Sequence, residues 1–285
     1  MIPAKFDYAK ASSVDDAVRL LGQAGEDGKV LAGGQSLIPL LRLRLASPSV
    51  LVDVGSVDEM VGVHDDGDGI VIGASTTHAD VLRNALVAEY ASLVAKATAT
   101  VADRQVRHRG TFGGSLAHAD PAGDLPAVAV ASDAVFTLAG SNGRRQVPAS
   151  EFFVDYFTTA TGEDEILTEV RFPRYTGWKH HYEKFNRTAQ AWAMVGVAAA
   201  VRRENGHIAE AAIGLTNMGS VPIRAGGVEA ALAGGPSSTD AIAAAAARAA
   251  EGTRPTTDVS ASAEYRTHMV AVLTRRAVVA AAGLG

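Results

Sequence analysis

No cysteine occurs among the 285 residues, and this absence excludes more than any residue that is present. Iron–sulfur clusters need thiolate ligands and disulfide exchange needs thiols, so neither a four-cysteine cluster nor redox-active cysteine chemistry belongs to this chain. The length allows one large domain or two to three smaller ones with cores of their own. Hydrophobic residues make up 47% and charged residues 20%, ordinary proportions for a soluble globular protein. A formal charge of -5 gives no electrostatic support for nucleic-acid binding. No apolar run reaches the roughly 18 residues of a membrane span, and the N-terminus lacks a secretion signal, which makes a cytoplasmic location the default expectation. The eight histidines show no HExxH or comparable spacing, so no metal site is expected here.

Along the chain, Ser13 is placed to cap a helix whose first turn carries Asp15 and Asp16 and whose apolar face is Val14, Ala17, Val18 and Leu21. Strands at Lys29–Ala32 and Val50–Val54 make the first 55 residues a βαβ unit. A strand follows at Ile70–Ala74, then a helix from about Thr77 and another over Leu86–Ala102. A helix is expected at Ala127–Ser132, and Ser141-Asn-Gly is a hairpin turn between Ala134–Leu138 and Arg145–Pro148. Ile166–Pro173 closes this region, and the pattern changes near residue 177. Beyond it come a three-stranded antiparallel unit (His181–Phe185, Val195–Arg202, Ile208–Leu215) and three alanine-rich helices, the last over about Ala263–Ala282. On that last helix Tyr265, Met269, Val272, Arg276 and Val279 form a stripe suited to helix packing.

Two glycine-rich loops carry the chemistry. Ala32-Gly33-Gly34-Gln35-Ser36 directly follows a strand, and Thr111-Phe112-Gly113-Gly114-Ser115 repeats its character. Glycine permits close approach and positive φ, while backbone N–H and serine hydroxyl groups are neutral donors for a pyrophosphate. Neither loop matches GxGxxG or GxxxxGK[ST], so neither the usual dinucleotide fold nor a triphosphatase is indicated. Taken alone, each is equally a tight turn.

In context, Ala32-Gly-Gly-Gln-Ser-Leu-Ile-Pro-Leu-Leu-Arg-Leu-Arg and Val106-Arg-His-Arg-Gly-Thr-Phe-Gly-Gly-Ser-Leu-Ala-His-Ala-Asp-Pro-Ala-Gly-Asp-Leu-Pro resemble one family. It is the FAD-binding medium subunit of molybdenum hydroxylases, the carbon monoxide dehydrogenase and xanthine dehydrogenase group. Phe6-Asp-Tyr, Ile72-Gly-Ala-Ser-Thr-Thr-His-Ala-Asp and Ala263-Glu-Tyr-Arg extend the likeness over nearly the whole chain. The resemblance implies an α+β fold of the vanillyl-alcohol-oxidase (PCMH) type. Two subdomains, about residues 1–56 and 57–177, would hold FAD between them, with a smaller C-terminal α+β domain at 178–285. It implies FAD phosphate contacts from Ala32–Ser36 and Thr111–Ser115, an Asp124 that accepts from sugar or ribityl hydroxyls, and Leu167 and Lys184 near the isoalloxazine ring. It also implies a [2Fe-2S] small subunit and a molybdenum-cofactor large subunit as partners, in a dimer of heterotrimers, with electrons leaving through FAD. Gln35 stands where carbon monoxide dehydrogenases often have histidine, which weakens an assignment to carbon monoxide and leaves the flavin reading intact.

Read without the resemblance, several of these residues have plainer roles. Asp124 is then a turn aspartate and Lys184 a surface lysine, although Tyr182 and Lys184 share a strand face with Glu183 opposite. Trp192 is expected in the core, with stacking on a cofactor or partner as the alternative. Arg104, Arg107, His108 and Arg109 form a basic run that is solvated in part and otherwise available to phosphate or a partner. A self-sufficient flavin oxidase or reductase of the same fold and a non-enzymatic pyrophosphate-binding module are the rival readings. No histidine lies inside either loop for covalent flavin attachment.

Overall fold

Three larger sheets and a two-stranded one, Phe153–Asp155 with Thr158–Thr159, organise the chain, seen in a computed structural model that describes residues 2–285. The first holds three parallel strands, with Val50–Asp53 between Asp7–Lys10 and Gly28–Leu31. Helix Val14–Ala24 crosses over, its Ser13 Oγ accepting the Asp16 N–H at 3.0 Å and its Val14, Ala17 and Leu21 buried. The expected βαβ unit therefore gains a leading strand. Asp7–Lys10 is four residues long and mostly exposed, too short to show an alternating pattern.

The second sheet is antiparallel, in the order Val63–Asp65, Gly69–Gly73, Ile166–Pro173, Val135–Gly140, Gly143–Pro148. The hairpin falls at Ser141-Asn142, as its sequence indicates, with Gly143 at φ +101°. The single helix expected over Leu86–Ala102 is two, Ala85–Tyr90 and Ser92–Ala99, broken where Ala91 takes φ -132° and ψ 48°. The second glycine segment is not a loop. Thr111 is the N-cap and residues 112–115 begin the helix Phe112–His118.

The third sheet has four antiparallel strands, Trp178–Phe185, Val195–Glu204, His207–Thr216 and the short Ile223–Arg224 that the sequence does not signal. Tyr182, Ala198, Ala200 and Ala212 on one face join the core of the first two sheets. Val197, Ala199, Val201 and Ile213 on the other pack with Val270, Leu273, Ala277 and Val278 of helix Ala263–Ala281. That helix buries a stripe one position away from the one its sequence pattern offers. Tyr265 and Arg276 are exposed, while Arg266, Val270, Leu273, Ala277, Val278 and Ala281 face inward. Arg266 is wholly buried because its guanidinium donates to Met194 O and pairs with Asp258 at 2.7 Å. A lost apolar position thus becomes a tie between the helix and the chain near residue 194.

Candidate functional site

The two glycine segments meet backbone to backbone. Thr77 and Thr111 form an isolated antiparallel bridge, in which the His78 N–H donates to Gly110 O (2.9 Å) and the Phe112 N–H to Thr76 O (2.8 Å). A Cβ at Gly33 would overlap Arg109 O and lie 2.8 Å from Gly110 Cα, and one at Gly113 would lie 2.6 Å from Ala74 Cα. These glycines are required by protein packing itself, before any ligand is considered. Gly34 meets the other glycine requirement, a left-handed φ of +71°.

The two segments differ in the donors they leave free. The N–H groups of Phe112, Gly113, Gly114 and Ser115 are all taken, by Thr76 O, Ala74 O, Thr111 Oγ1 and Thr111 O. The Ser115 hydroxyl donates to Phe112 O at 2.9 Å. The N–H groups of Gly33, Gly34, Gln35 and Ser36 have no protein acceptor among the described residues. The second segment keeps only the Thr111 N–H, so the expected two-sided backbone clamp is uneven, with four donors against one.

Beside this seam lies a cavity of about 750 Å³. Every residue that the sequence nominates lines it except Phe112: Ala32, Gly33, Gly34, Gln35, Ser36, Thr111, Gly113, Gly114, Ser115, Asp124, Leu167 and Lys184. The Phe112 ring is buried instead, edge-on to Phe172 with centroids 5.8 Å apart. A smaller cavity of about 250 Å³ adjoins it, sharing Ala32, Gly33, Ser75 and Thr111 and adding Lys10, Asp53, His108 and Arg109. Of the basic run, Arg107 is committed to the protein, donating to Val101 O at 2.7 Å.

Asp124 is neither a solvated turn residue nor unpaired. It opens helix Asp124–Ala131, which lies close on the third sheet because a Cβ at Gly214 would overlap Ala127 O. Its Oδ1 accepts from Tyr182 Oη and its Oδ2 from Lys184 Nζ, both at 2.7 Å. Burial pushes the Asp124 carboxyl above its ordinary pKa, opposed by the Lys184 ammonium and the Tyr182 hydroxyl. Burial and the neighbouring carboxylate also carry Tyr182 well above the usual phenol range. Lys184 is no surface lysine. A second bond from its Nζ, to Thr100 O at 3.1 Å, holds it at the cavity wall.

Several lining residues are not among the site residues that the sequence nominates. Trp192, expected in the core, is 55% exposed and lines the cavity. Phe157 is exposed at the lining and its ring lies 5.2 Å from that of His118, whose pKa burial lowers. His78 is 2% exposed, and burial, helped by the Arg107 charge, lowers its pKa to about 4. His78 and His118 lie inside the matched segments, yet nothing in the one-dimensional pattern gives any of these residues a place on the cavity wall. No group of three or more His, Cys, Asp or Glu side chains suited to a metal ion occurs among the described residues, and none of their helices is long and apolar enough to cross a membrane.

Residues 4–175 match the family model described as the FAD binding domain in molybdopterin dehydrogenase, and residues 180–281 match the CO dehydrogenase flavoprotein C-terminal domain. The chain belongs to the FAD-binding medium subunits of molybdenum hydroxylases. It is 40% identical over 284 residues to the carbon monoxide dehydrogenase medium chain of Hydrogenophaga pseudoflava, covering 99% of this chain and 98% of that one. Against the 6-hydroxypseudooxynicotine dehydrogenase complex subunit alpha of Paenarthrobacter nicotinovorans it is 37% identical, covering 97% and 94%. The fold matches the solved carbon monoxide dehydrogenase of Hydrogenophaga pseudoflava that lacks the Mo-pyranopterin moiety, with a TM-score of 0.97 at 41% identity, covering 100% of this chain and 99% of that one. The chain is thus an α+β, FAD-binding oxidoreductase subunit. As a medium subunit it offers a donor set that fits the cofactor: four unclaimed N–H groups for a diphosphate, in a cavity whose lining also carries a cation, a carboxylate and an indole.

Proposed function

We propose that this subunit holds FAD along the cavity and serves as the electron exit of a three-chain molybdenum hydroxylase. The observation that carries this reading is the run of four unclaimed backbone donors, Gly33 to Ser36, beside a cavity lined by the remaining predicted residues apart from Phe112. Neutral N–H groups suit the diphosphate without a competing ion pair. Asp124 has spent one lone pair on each oxygen and keeps others for sugar or ribityl hydroxyls. The Lys184 ammonium keeps one of its three protons beyond Asp124 and Thr100, placed to favour negative charge on the isoalloxazine side of the cavity. Leu167 supplies an apolar wall. Bound FAD supplies a carrier that accepts electrons singly and delivers them singly or in pairs. With no cysteine here, the [2Fe-2S] clusters lie in a small partner chain and the molybdenum cofactor in a large one, in a dimer of heterotrimers. The chain divides into a cofactor domain, 1–177, with subdomains 1–56 and 57–177, and a C-terminal domain, 178–285.

Purified with FAD, the lone chain is expected to be yellow and reducible by dithionite, yet inert toward hydroxylase substrates. Adding the cluster and molybdenum chains is expected to restore substrate-driven bleaching of the flavin band. Substrate oxidation by the lone chain at the rate of the complex would defeat this reading in favour of a self-sufficient oxidase.

A further inference from the structure

His78 sits where the two glycine segments close on each other. Its backbone N–H holds Gly110 O, and a Cβ at Gly110 would lie 3.1 Å from its Cδ2 and 3.5 Å from Gln35 Cγ. The imidazole lines the cavity at 2% exposure. Its Nδ1 is sealed within the protein and has no hydrogen-bond partner. A proton on Nδ1 would be a buried donor with nothing to bond, so the stable neutral form carries its proton on Nε2, the nitrogen not enclosed in this way. On this side of the cleft the N–H groups of residues 112–115 are already consumed, which leaves the Thr111 N–H as the one backbone donor of that segment to face those of Gly33–Ser36.

We propose that His78 is a further FAD-binding residue, its Nε2–H supplying a neutral donor to the diphosphate from the side of the second glycine segment. The assignment rests on the FAD reading above and adds a residue to it. An uncharged imidazole completes the clamp without placing a cation in the enclosed space beside Arg107, and the helix turn starting at His78 fixes its position from Thr77, whose hydroxyl caps the Asp80 N–H at 3.1 Å.

Three full-length variants test it by fluorescence titration with FAD, alongside urea denaturation of each apo protein. His78→Phe keeps a planar ring and removes both nitrogens. It is expected to lower FAD affinity at least tenfold, the scale of one hydrogen bond to a charged group, while apo stability at pH 7 stays equal or rises, since an unpaired buried nitrogen is gone. His78→Gln, whose amide nitrogen falls near the position of Nε2, is expected to restore affinity to within about threefold. His78→Asn, whose amide falls near Nδ1, is expected not to. A merely structural histidine would show the opposite pairing, with lower stability and unchanged FAD affinity in His78→Phe, and that result overturns the proposal. Wild-type binding separates the two claims: a wild-type chain that fails to bind FAD overturns the reading it rests on, whereas a wild type and His78→Phe that bind FAD equally overturn only the role of His78. If His78→Phe does not fold, equal affinity of the Gln and Asn variants with the wild type overturns it in the same way.

Discussion

Lys184 Nζ lies 2.7 Å from Asp124 Oδ2, and the two side chains are 6% and 3% exposed. The pair joins the first strand of the third sheet to helix Asp124–Ala131, so it is a tie across the cavity wall as well as a candidate contact to cofactor. Removing either partner leaves a buried charge without its counterion. Asp124→Asn or Lys184→Met is expected to destabilise the apo chain by about 3–5 kcal/mol in urea denaturation. The double variant is expected to cost clearly less than the sum of the two. Strict additivity would show that the pair is uncoupled.

The seam predicts a graded glycine series. Gly33→Ala drives a methyl group into Arg109 O, an atom fixed in the backbone, and is expected to lower both melting temperature and flavin retention. Gly34→Ala meets mainly the flexible Ile38 side chain but must hold φ near +71°, a strain of about 1–2 kcal/mol. Gly22 has nothing within 4 Å of its missing Cβ and lies in helix Val14–Ala24, so Gly22→Ala is expected to stabilise by about 0.5–1 kcal/mol. Thermal melts of the three would expose a wrong ordering.

His78 also predicts an acid sensitivity. Its pKa in the folded chain is about 4, below the value of about 6.5 usual for an unfolded histidine. Between those values the unfolded chain binds the proton and the folded chain does not, so stability is complete above about pH 6.5 and falls as pH drops toward 4. His180, half-buried beside Ser92, is lowered in the same direction. The slope of unfolding free energy against pH over this window is expected to be shallower in His78→Phe, by up to about 1.4 kcal/mol per pH unit. An unchanged slope would mean that His78 does not titrate this way.

Trp192 gives a direct optical readout. Of the two tryptophans, it alone lines the cavity, whereas Trp178 packs edge-on against Tyr175 with centroids 5.0 Å apart. FAD addition is expected to quench tryptophan emission in the wild type and to lose most of that quenching in Trp192→Phe. Equal quenching in both would place the flavin elsewhere.

What the sequence reveals and what it hides have separate physical causes. The glycine segments and Asp124 stand out because each sits in a long ordered match, Leu167 and Lys184 follow only from the family resemblance, and all but Phe112 line one cavity. The helical state of Thr111–Ser115 is hidden because Gly113 and Gly114 are poor helix formers. It holds because Thr111 caps Gly114, and because the Phe112 and Gly113 N–H groups bond to Thr76 and Ala74. Whether a tryptophan is in the core or at a mouth depends on what packs around it, which composition does not record. His78 does lie in the matched Ile72–Asp80 segment, but its one enclosed nitrogen is a fact of packing that the segment does not record.

Gly33 against Arg109 and Gly113 against Ala74 are contacts between main-chain atoms. The width of the cleft at that point is therefore set by covalent dimensions common to all polypeptides rather than by the size of any side chain. Substitutions can remodel the cores on either side, or the cavity's far wall, without altering the gauge at which the donors stand. Recognition at the seam and variation elsewhere are in this way mechanically decoupled.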